Sequence, residues 1–375
     1  MNTQASLQGL PVELIQEILL VLPDIATLKA TINTCHLLHA AFKENEERIV
    51  KRILQDQIEP ELFHDALAAM ASSQRKLWKK KQADAFLKKY FDRDGGHFLS
   101  SCRWKLSQVQ PLIENLELVN SFTQRFWYDC LMRPRGVDDH IRSSRPTSRT
   151  ERIRIGRTFY RFETYCNLFR GYRHILEATN HRHCGAFVTR QRYKYFARFA
   201  PWENEQFACV YQFLFRITSP EKAILEVRAK ELIENRGSGL QNYTPDETDY
   251  TAIEYVLSRG LASIQRFLNL PPLERLDVIQ KSETHGHFLG SVLYKGTFQS
   301  SRRLMDLDED EEKIFLPPAW YPDDDCGPQA IWYLNHFHVP VDRLFAHSEA
   351  EEERAWGYVM WDTERLEEHA LIHPR

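Results

Sequence analysis

The stretch LPVELIQEILLVLPDIATLKATINTCHLL, residues 10–38, decides how the rest of the chain is read. Leu10-Pro11 gives an extended step and then opens a helix, because proline at the first helical position gives up no hydrogen bond and already has a helical φ. Glu13 suits the positive end of the helix dipole. The helix is expected to run to Leu22, where Pro23 disfavours helical geometry at the residue before it. Asp24 then caps a second helix holding Ile25, Leu28 and Ile32, and a third starts at about Cys35. Leu14, Ile18 and Leu22 share a face by their spacing of four, while Ile15, Leu19 and Leu20 widen the stripe. The first helix is therefore apolar over much of its circumference, and one side must face something outside the unit.

A unit of about 40 residues is near the lower limit for independent folding, so a partner or the following chain must cover that face. Burying about six to eight aliphatic side chains at ~1.5–3 kcal/mol each gives a gross gain of roughly 10–20 kcal/mol. Association costs ~4–15 kcal/mol, so docking is energetically feasible. Periodicity alone also fits a three-helix cap buried against its own C-terminal neighbour.

The order of Leu-Pro-x-Glu-Leu, Ile-Leu-x-x-Leu, a later Leu and a Cys resembles the F-box, the module with which receptors of SCF-type ubiquitin ligases grip a Skp-family adaptor. The positions here are Leu10, Pro11, Glu13, Leu14, Ile18, Leu19, Leu22, Leu28 and Cys35. The resemblance implies adaptor contacts at Leu10, Pro11, Leu14, Ile18, Leu19, Leu22, Leu28 and Cys35. Leu38 departs from the pattern, since many F-boxes carry Trp three residues after the Cys. The blocks ERIRIGRTFYRFETYCNLF, PWENEQFACVYQFL and RAWGYVMWDTERL resemble segments of fungal F-box proteins with a large helical C-terminal region. That likeness implies a receptor architecture and names no target.

At 375 residues the chain exceeds the ~250–300 at which one core usually stops growing, so an N-terminal module and a larger second region are expected. The formal net charge of -3 provides no field that attracts nucleic acid or anionic membrane. Cysteines 35, 102, 130, 166, 184, 209 and 326 never form a C-x-x-C pair, which argues against a disulfide framework or zinc ribbon and for a reducing compartment. The first residues lack the pattern of a signal peptide and no long apolar run occurs, so the expected location is cytoplasmic, nuclear or both.

Residues 44–91 read as helical, with Pro60 opening one helix and Gly95-Gly96 closing the region. The cluster Arg75, Lys76, Lys79, Lys80 and Lys81 beside Trp78 reads as a solvated helix face before it reads as a phosphate and stacking patch. A helix is expected over 107–132 with Ser107 as its cap. Residues 133–149 have almost no apolar content and read as a mobile loop, in which Ser143, Ser144 and Ser148 are flanked by arginines and open to phosphorylation. After Thr150, Ile155, Phe159, Phe162, Cys166 and Phe169 recur at steps of four and three, the pattern of a central core helix. Further helices start at Pro201 and Pro220 and span 249–268 and 272–280. The acidic run 306–312 and the aromatic, proline-rich run 315–322 read as a surface loop. No run alternates as a strand would, and no internal period of a repeat fold occurs.

Catalytic patterns are thin. Asp325-Cys326-Gly327-Pro328 resembles the nucleophile segment of some papain-like peptidases, with His336, His338 or His347 as a base. The upstream Gln that such sites use is absent, and the neighbouring aspartates oppose a thiolate. His181, His183 and Cys184, and His285 with His287, offer metal-ligand types without a second pair at a useful spacing. Asp306, Asp308 and Asp310 start like a calcium loop, but Glu311 replaces its Gly and Pro317 its final Glu. No phosphate-binding glycine loop occurs, so no metal or cofactor is expected.

The expected fold is mainly α, with a three-helix F-box at 7–50 followed by a large irregular helical, substrate-binding region at 51–375. The expected function is non-enzymatic: a substrate receptor joining a Skp-family adaptor, and through it a cullin, to an unknown protein target. An F-box scaffold outside the ligase and a cysteine hydrolase using Cys326 are the alternatives. No nucleic-acid or membrane partner is expected.

Overall fold

The N-terminal apolar run breaks where its prolines and Asp24 require. The computed structural model describes residues 9–91, 103–132, 145–170, 192–233, 247–282, 289, 303–320, 323–338 and 351–372. Helix α1, Val12–Leu20, begins directly after Pro11. It ends two residues before Leu22, whose N–H reaches only the Leu19 carbonyl at 3.5 Å, because Pro23 keeps the residue before it out of the helical region. Asp24 caps α2, Ile25–Ile32, by accepting the Thr27 N–H at 2.6 Å. Helix α3, His36–Glu44, follows Cys35, and α4, Glu46–Gln57, follows without a loop. Ile15, Leu19, Leu28, Phe42, Ile49 and Ile53 meet at the centre of this group.

That centre is continuous with the core of the rest of the molecule. Two polar ties reinforce the join: Lys29 donates to the Gln110 Oε1 at 2.6 Å, and the Leu106 N–H donates to Glu46 at 2.9 Å. A 3-10 turn, Pro60–Leu62, leads into α5, Phe63–Ser73, and α6, Lys80–Phe91, follows. Trp78 turns inward, giving its Nε1–H to the Ser72 carbonyl at 3.0 Å, while the surrounding cations stay at the surface. The Gly95-Gly96 pair lies outside the described residues.

Helix α7, Gln110–Leu131, has Val109 at its N-cap and Pro111 in its first turn, so Ser107 is not its cap. Proline supplies the pre-set φ that makes a side-chain cap unnecessary there. Helix α8, Arg149–Phe169, is enclosed by α5, α7 and α9, Pro201–Thr218. Every α8 residue except Arg149, Thr150 and Arg152 is buried, the expected stripe Ile155, Phe159, Phe162, Cys166 and Phe169 included. Of the loop expected over 133–149, residues 133–144 lie outside the described residues, and its end, Ser148-Arg149, forms the cap and first residue of α8. Ser148 and Glu151 form a reciprocal capping box, with the Glu151 N–H donated to Ser148 Oγ at 3.0 Å and the Ser148 N–H to Glu151 Oε2 at 2.9 Å. Ser148 Oγ also donates to Asp362 at 2.5 Å, a setting that would oppose an added phosphate. Ser143 and Ser144 lie outside the described residues.

Beyond α9 come α10, Pro220–Ile233, α11, Glu247–Ser258, α12, Leu261–Leu268, and α13, Pro272–Lys281. The helix expected over 249–268 is two helices, broken at Gly260, whose φ of +86° no helix contains. The acidic run is likewise not a loop. Asp308 caps α14, Glu309–Phe315, by accepting the N–H groups of Asp310 and Glu311. Helices α15, Gly327–His336, α16, Glu351–Trp356, and α17, Thr363–Glu368, complete the described chain. Among the described residues there is no β-strand, and the molecule is mainly α-helical.

Buried ion pairs fasten the C-terminal helices to the centre. Arg154 on α8 reaches Asp323 and Asp362, Arg365 on α17 forks onto Glu151 at 2.7 and 2.9 Å, and Arg354 on α16 meets Glu205 on α9 at 2.6 Å. Arg161 lies between Glu203 and Asp65 with its guanidinium 4.2 Å from the Phe199 ring centroid. Pairing of this kind is the condition on which charged groups stay inside a core.

Candidate functional site: an exposed apolar stripe on the first helix

Helix α1 turns 100° per residue, so Leu14 and Ile18 share one sector, opposite the one that holds Val12 and Leu19, and Val21, the C-cap residue just past the last turn, stands clear at its end. Ile15, Leu19 and Leu20 on the inner side are buried. All three face solvent: Leu14 is 51% exposed, Ile18 40% and Val21 79%. Pro11 is exposed beside them, and Leu10 and Leu22 are half-buried against the core. Three large aliphatic side chains exposed along one helix and at its end are the pattern of an interaction surface.

The eight residues expected to contact an adaptor therefore divide. Pro11, Leu14, Ile18 and Cys35 are exposed, Leu10 and Leu22 partly so. Leu19 and Leu28 are fully buried and hold the helices together. Leu38, the residue that departs from the resemblance, is also buried, at 6% exposure. The sequence pattern puts Leu22, not Val21, in line with Leu14 and Ile18; because the helix stops at Leu20, Val21 stands clear instead.

Fewer exposed side chains change the energetics. Three aliphatics at ~1.5–3 kcal/mol each supply roughly 5–9 kcal/mol, which matches only the lower part of a ~4–15 kcal/mol association cost. More area lies alongside. Between α1 and α4 an open groove of about 1000 Å³ is lined by Val21 and the edges of the buried Leu20 and Trp104, with charges of both signs, Glu17, Glu47 and Asp56 beside Arg48, Lys51 and Arg52.

Of the candidate catalytic residues, Cys326, His336 and His338 are described, and Cys326 and His336 stand apart. Cys326 is exposed at the N-terminus of α15, its sulfur 4.0 Å from the Thr363 hydroxyl. Asp325 is occupied by the N–H groups of Gly327 and Thr363 at 2.8 and 2.9 Å. His336 lies ten positions farther along the chain, about 15 Å along a helix axis, where it is buried with Nδ1 2.8 Å from the Trp332 carbonyl. His338 faces the Met305 sulfur. His347, His181, His183, Cys184, His285 and His287 lie outside the described residues. Among the described residues no group of three or more His, Cys, Asp or Glu side chains is placed to hold a metal ion. The thiols of Cys166 and Cys209 are pushed well up by burial, and Cys166 donates to the Leu257 carbonyl, so neither is poised as a nucleophile.

Among the described residues no helix is long and apolar enough to cross a membrane. Comparison with known proteins finds no family model, no curated protein and no solved structure that matches this chain.

Proposed function

We propose that this chain is a substrate receptor of the F-box kind: α1 docks on a Skp-family adaptor while the helical body behind it holds a protein target for ubiquitin transfer. The observation that carries the reading is the stripe Leu14, Ile18 and Val21, apolar, exposed and set on a helix whose sequence resembles the adaptor-gripping motif. The mixed-charge groove beside Val21 adjoins this stripe. In this reading the chain itself makes and breaks no bond. It works by proximity, holding a target lysine close to a charged conjugating enzyme and so raising its effective concentration.

The test is binding of the purified chain to a purified Skp-family adaptor, with Leu14→Asp and Ile18→Asp introduced together. Both side chains are exposed, so the double variant keeps the packing of α1 and isolates the surface. Loss of adaptor binding with an unchanged helical spectrum supports the reading, and undiminished binding removes it.

A further inference from the structure

The corner joining α5 to α6 concentrates one sign of charge where a helix disfavours it. Residues 75–89 carry seven lysine and arginine side chains against the single carboxylate of Asp84, and that carboxylate is paired with Lys194 at 3.3 Å. Lys79 precedes α6 and Lys80 and Lys81 open it, beside the positive end of its dipole, with no acidic residue in the first turn. Among the described residues Lys76, Lys79 and Lys81 are exposed and form no ion pair. The net charge of -3 over the whole chain conceals this local excess. A surface that serves solubility alone intersperses both signs, whereas this one accumulates repulsion that an anionic layer outside the protein relieves.

An apolar side chain stands in the middle of these cations: Leu77 is 54% exposed. Its neighbour Trp78 holds the corner in place. That indole is buried, donates from Nε1 to the Ser72 carbonyl at 3.0 Å, packs edge-on to Phe86 at 5.0 Å and lies 5.5 Å from the Arg75 guanidinium. Trp78 therefore offers no face on which a nucleic-acid base could stack. An aliphatic side chain exposed at a turn and ringed by lysines fits a lipid interface, where it sits below a layer of anionic headgroups. The outer side of α6 stays basic through Lys88, about two turns beyond Lys81 and on the same face. Its inner side, with Ala83, Phe86, Leu87 and Tyr90, is committed to the core, so α6 lies along such a surface and does not insert.

We propose that the α5–α6 corner is a peripheral docking surface for an anionic bilayer, with Leu77 seated among the headgroups and Lys76, Lys79, Lys80 and Lys81 paired with the charges around it. This goes beyond the adaptor reading and does not depend on it, since the stripe on α1 and this corner belong to different elements.

The test is co-sedimentation of the full chain with vesicles of phosphatidylcholine and phosphatidylserine, beside vesicles of phosphatidylcholine alone. Partition onto the anionic vesicles only is expected, weakening as salt rises and unaffected by inorganic phosphate at constant ionic strength. Lys76→Gln with Lys79→Gln and Lys81→Gln, all at exposed positions, is expected to lower the partition coefficient on the order of a hundredfold, about fivefold for each cation. Leu77→Ala is expected to lower it several-fold. Lys51→Gln with Lys222→Gln and Lys313→Gln removes the same charge from elsewhere and is expected to lower it much less. No partition onto the anionic vesicles, equal partition onto the neutral ones, equal losses in the two triple variants, an unchanged Leu77→Ala, or tighter binding to a labelled DNA duplex at the same salt would overturn the proposal.

Discussion

Arg154 and Asp323 form a two-pronged ion pair, Nε to Oδ2 at 2.6 Å and Nη2 to Oδ1 at 2.9 Å, between residues 169 positions apart in sequence. The same guanidinium donates from Nη1 to Asp362 Oδ1 at 2.5 Å and to the Met360 carbonyl at 3.0 Å. One side chain on the central helix thus fixes both the segment entering α15 and the one entering α17. Replacing it by Met leaves two carboxylates facing an apolar group. Removing one partner of a buried pair costs ~3–5 kcal/mol, and Arg154→Met is expected to lower the urea midpoint accordingly, with faster hydrogen exchange over residues 358–366.

Asp362 gives this junction a pH dependence. Burial by itself would push the carboxyl up, but Arg154 and the hydroxyls of Ser148 and Thr150 outweigh it and hold the group below the usual aspartate range. A carboxyl depressed in the folded state contributes stability that is complete above its unfolded value of about 3.9 and is lost as pH falls through the folded value. Asp362→Asn is expected to flatten the acid limb of the stability profile below about pH 4. Chemical denaturation at a series of acid pH values checks this, and parallel limbs in the two proteins would contradict it.

Glu163 has the opposite sign. It is buried in α8, accepts the Leu261 N–H at 2.7 Å, and burial pushes its carboxyl up despite that bond. A carboxyl raised in the folded state favours folding most below its unfolded value of about 4.3 and withdraws that contribution as pH rises through the folded value. Gln keeps an acceptor for Leu261 without the charge. Glu163→Gln is therefore expected to gain stability relative to the parent as pH rises above about 4.3, and a difference that stays constant with pH above that value would rule the effect out.

Gly260 sits against the same carboxylate. Its φ is +86°, and a Cβ there would lie 2.7 Å from Glu163 Oε2. Gly260→Ala combines backbone strain with displacement of a buried acceptor and is expected to cost ~1–3 kcal/mol. Thermal unfolding measures it, and the paired variant with Glu163→Ala should recover part of the loss by opening that space.

The sequence makes local signals legible. Pro11, Pro23 and Asp24 mark the N-terminal helices within two residues because each acts on its own backbone, and the stripe from Ile155 to Phe169 marks the central helix because apolar spacing is a property of that segment alone. What stayed hidden depends on distant partners. The apolar stripe of α8 carries no sign of where its charges go, which is settled only when Arg154 meets Asp323 and Arg161 meets Glu203. Ser148 reads as part of a polar loop until Asp362 accepts its hydroxyl. The acidic run reads as a loop because six carboxylates look like solvated chain, whereas Asp308 and Glu311 spend two of them on a helix start. For the candidate site, the apolar character of α1 was legible, but its division into an inner face with Leu19 and an outer face with Leu14, Ile18 and Val21 was not, since both faces carry the same residue types.

Adaptor binding by the first helix tests the central claim most directly. Titrating the full chain with a purified Skp-family adaptor by calorimetry, the account predicts saturable binding with a negative heat-capacity change, as burial of the apolar stripe requires. It also predicts loss of that binding in the Leu14→Asp, Ile18→Asp double variant while the thermal midpoint holds. No heat of binding from the folded parent, or equal affinity in the double variant, would contradict it.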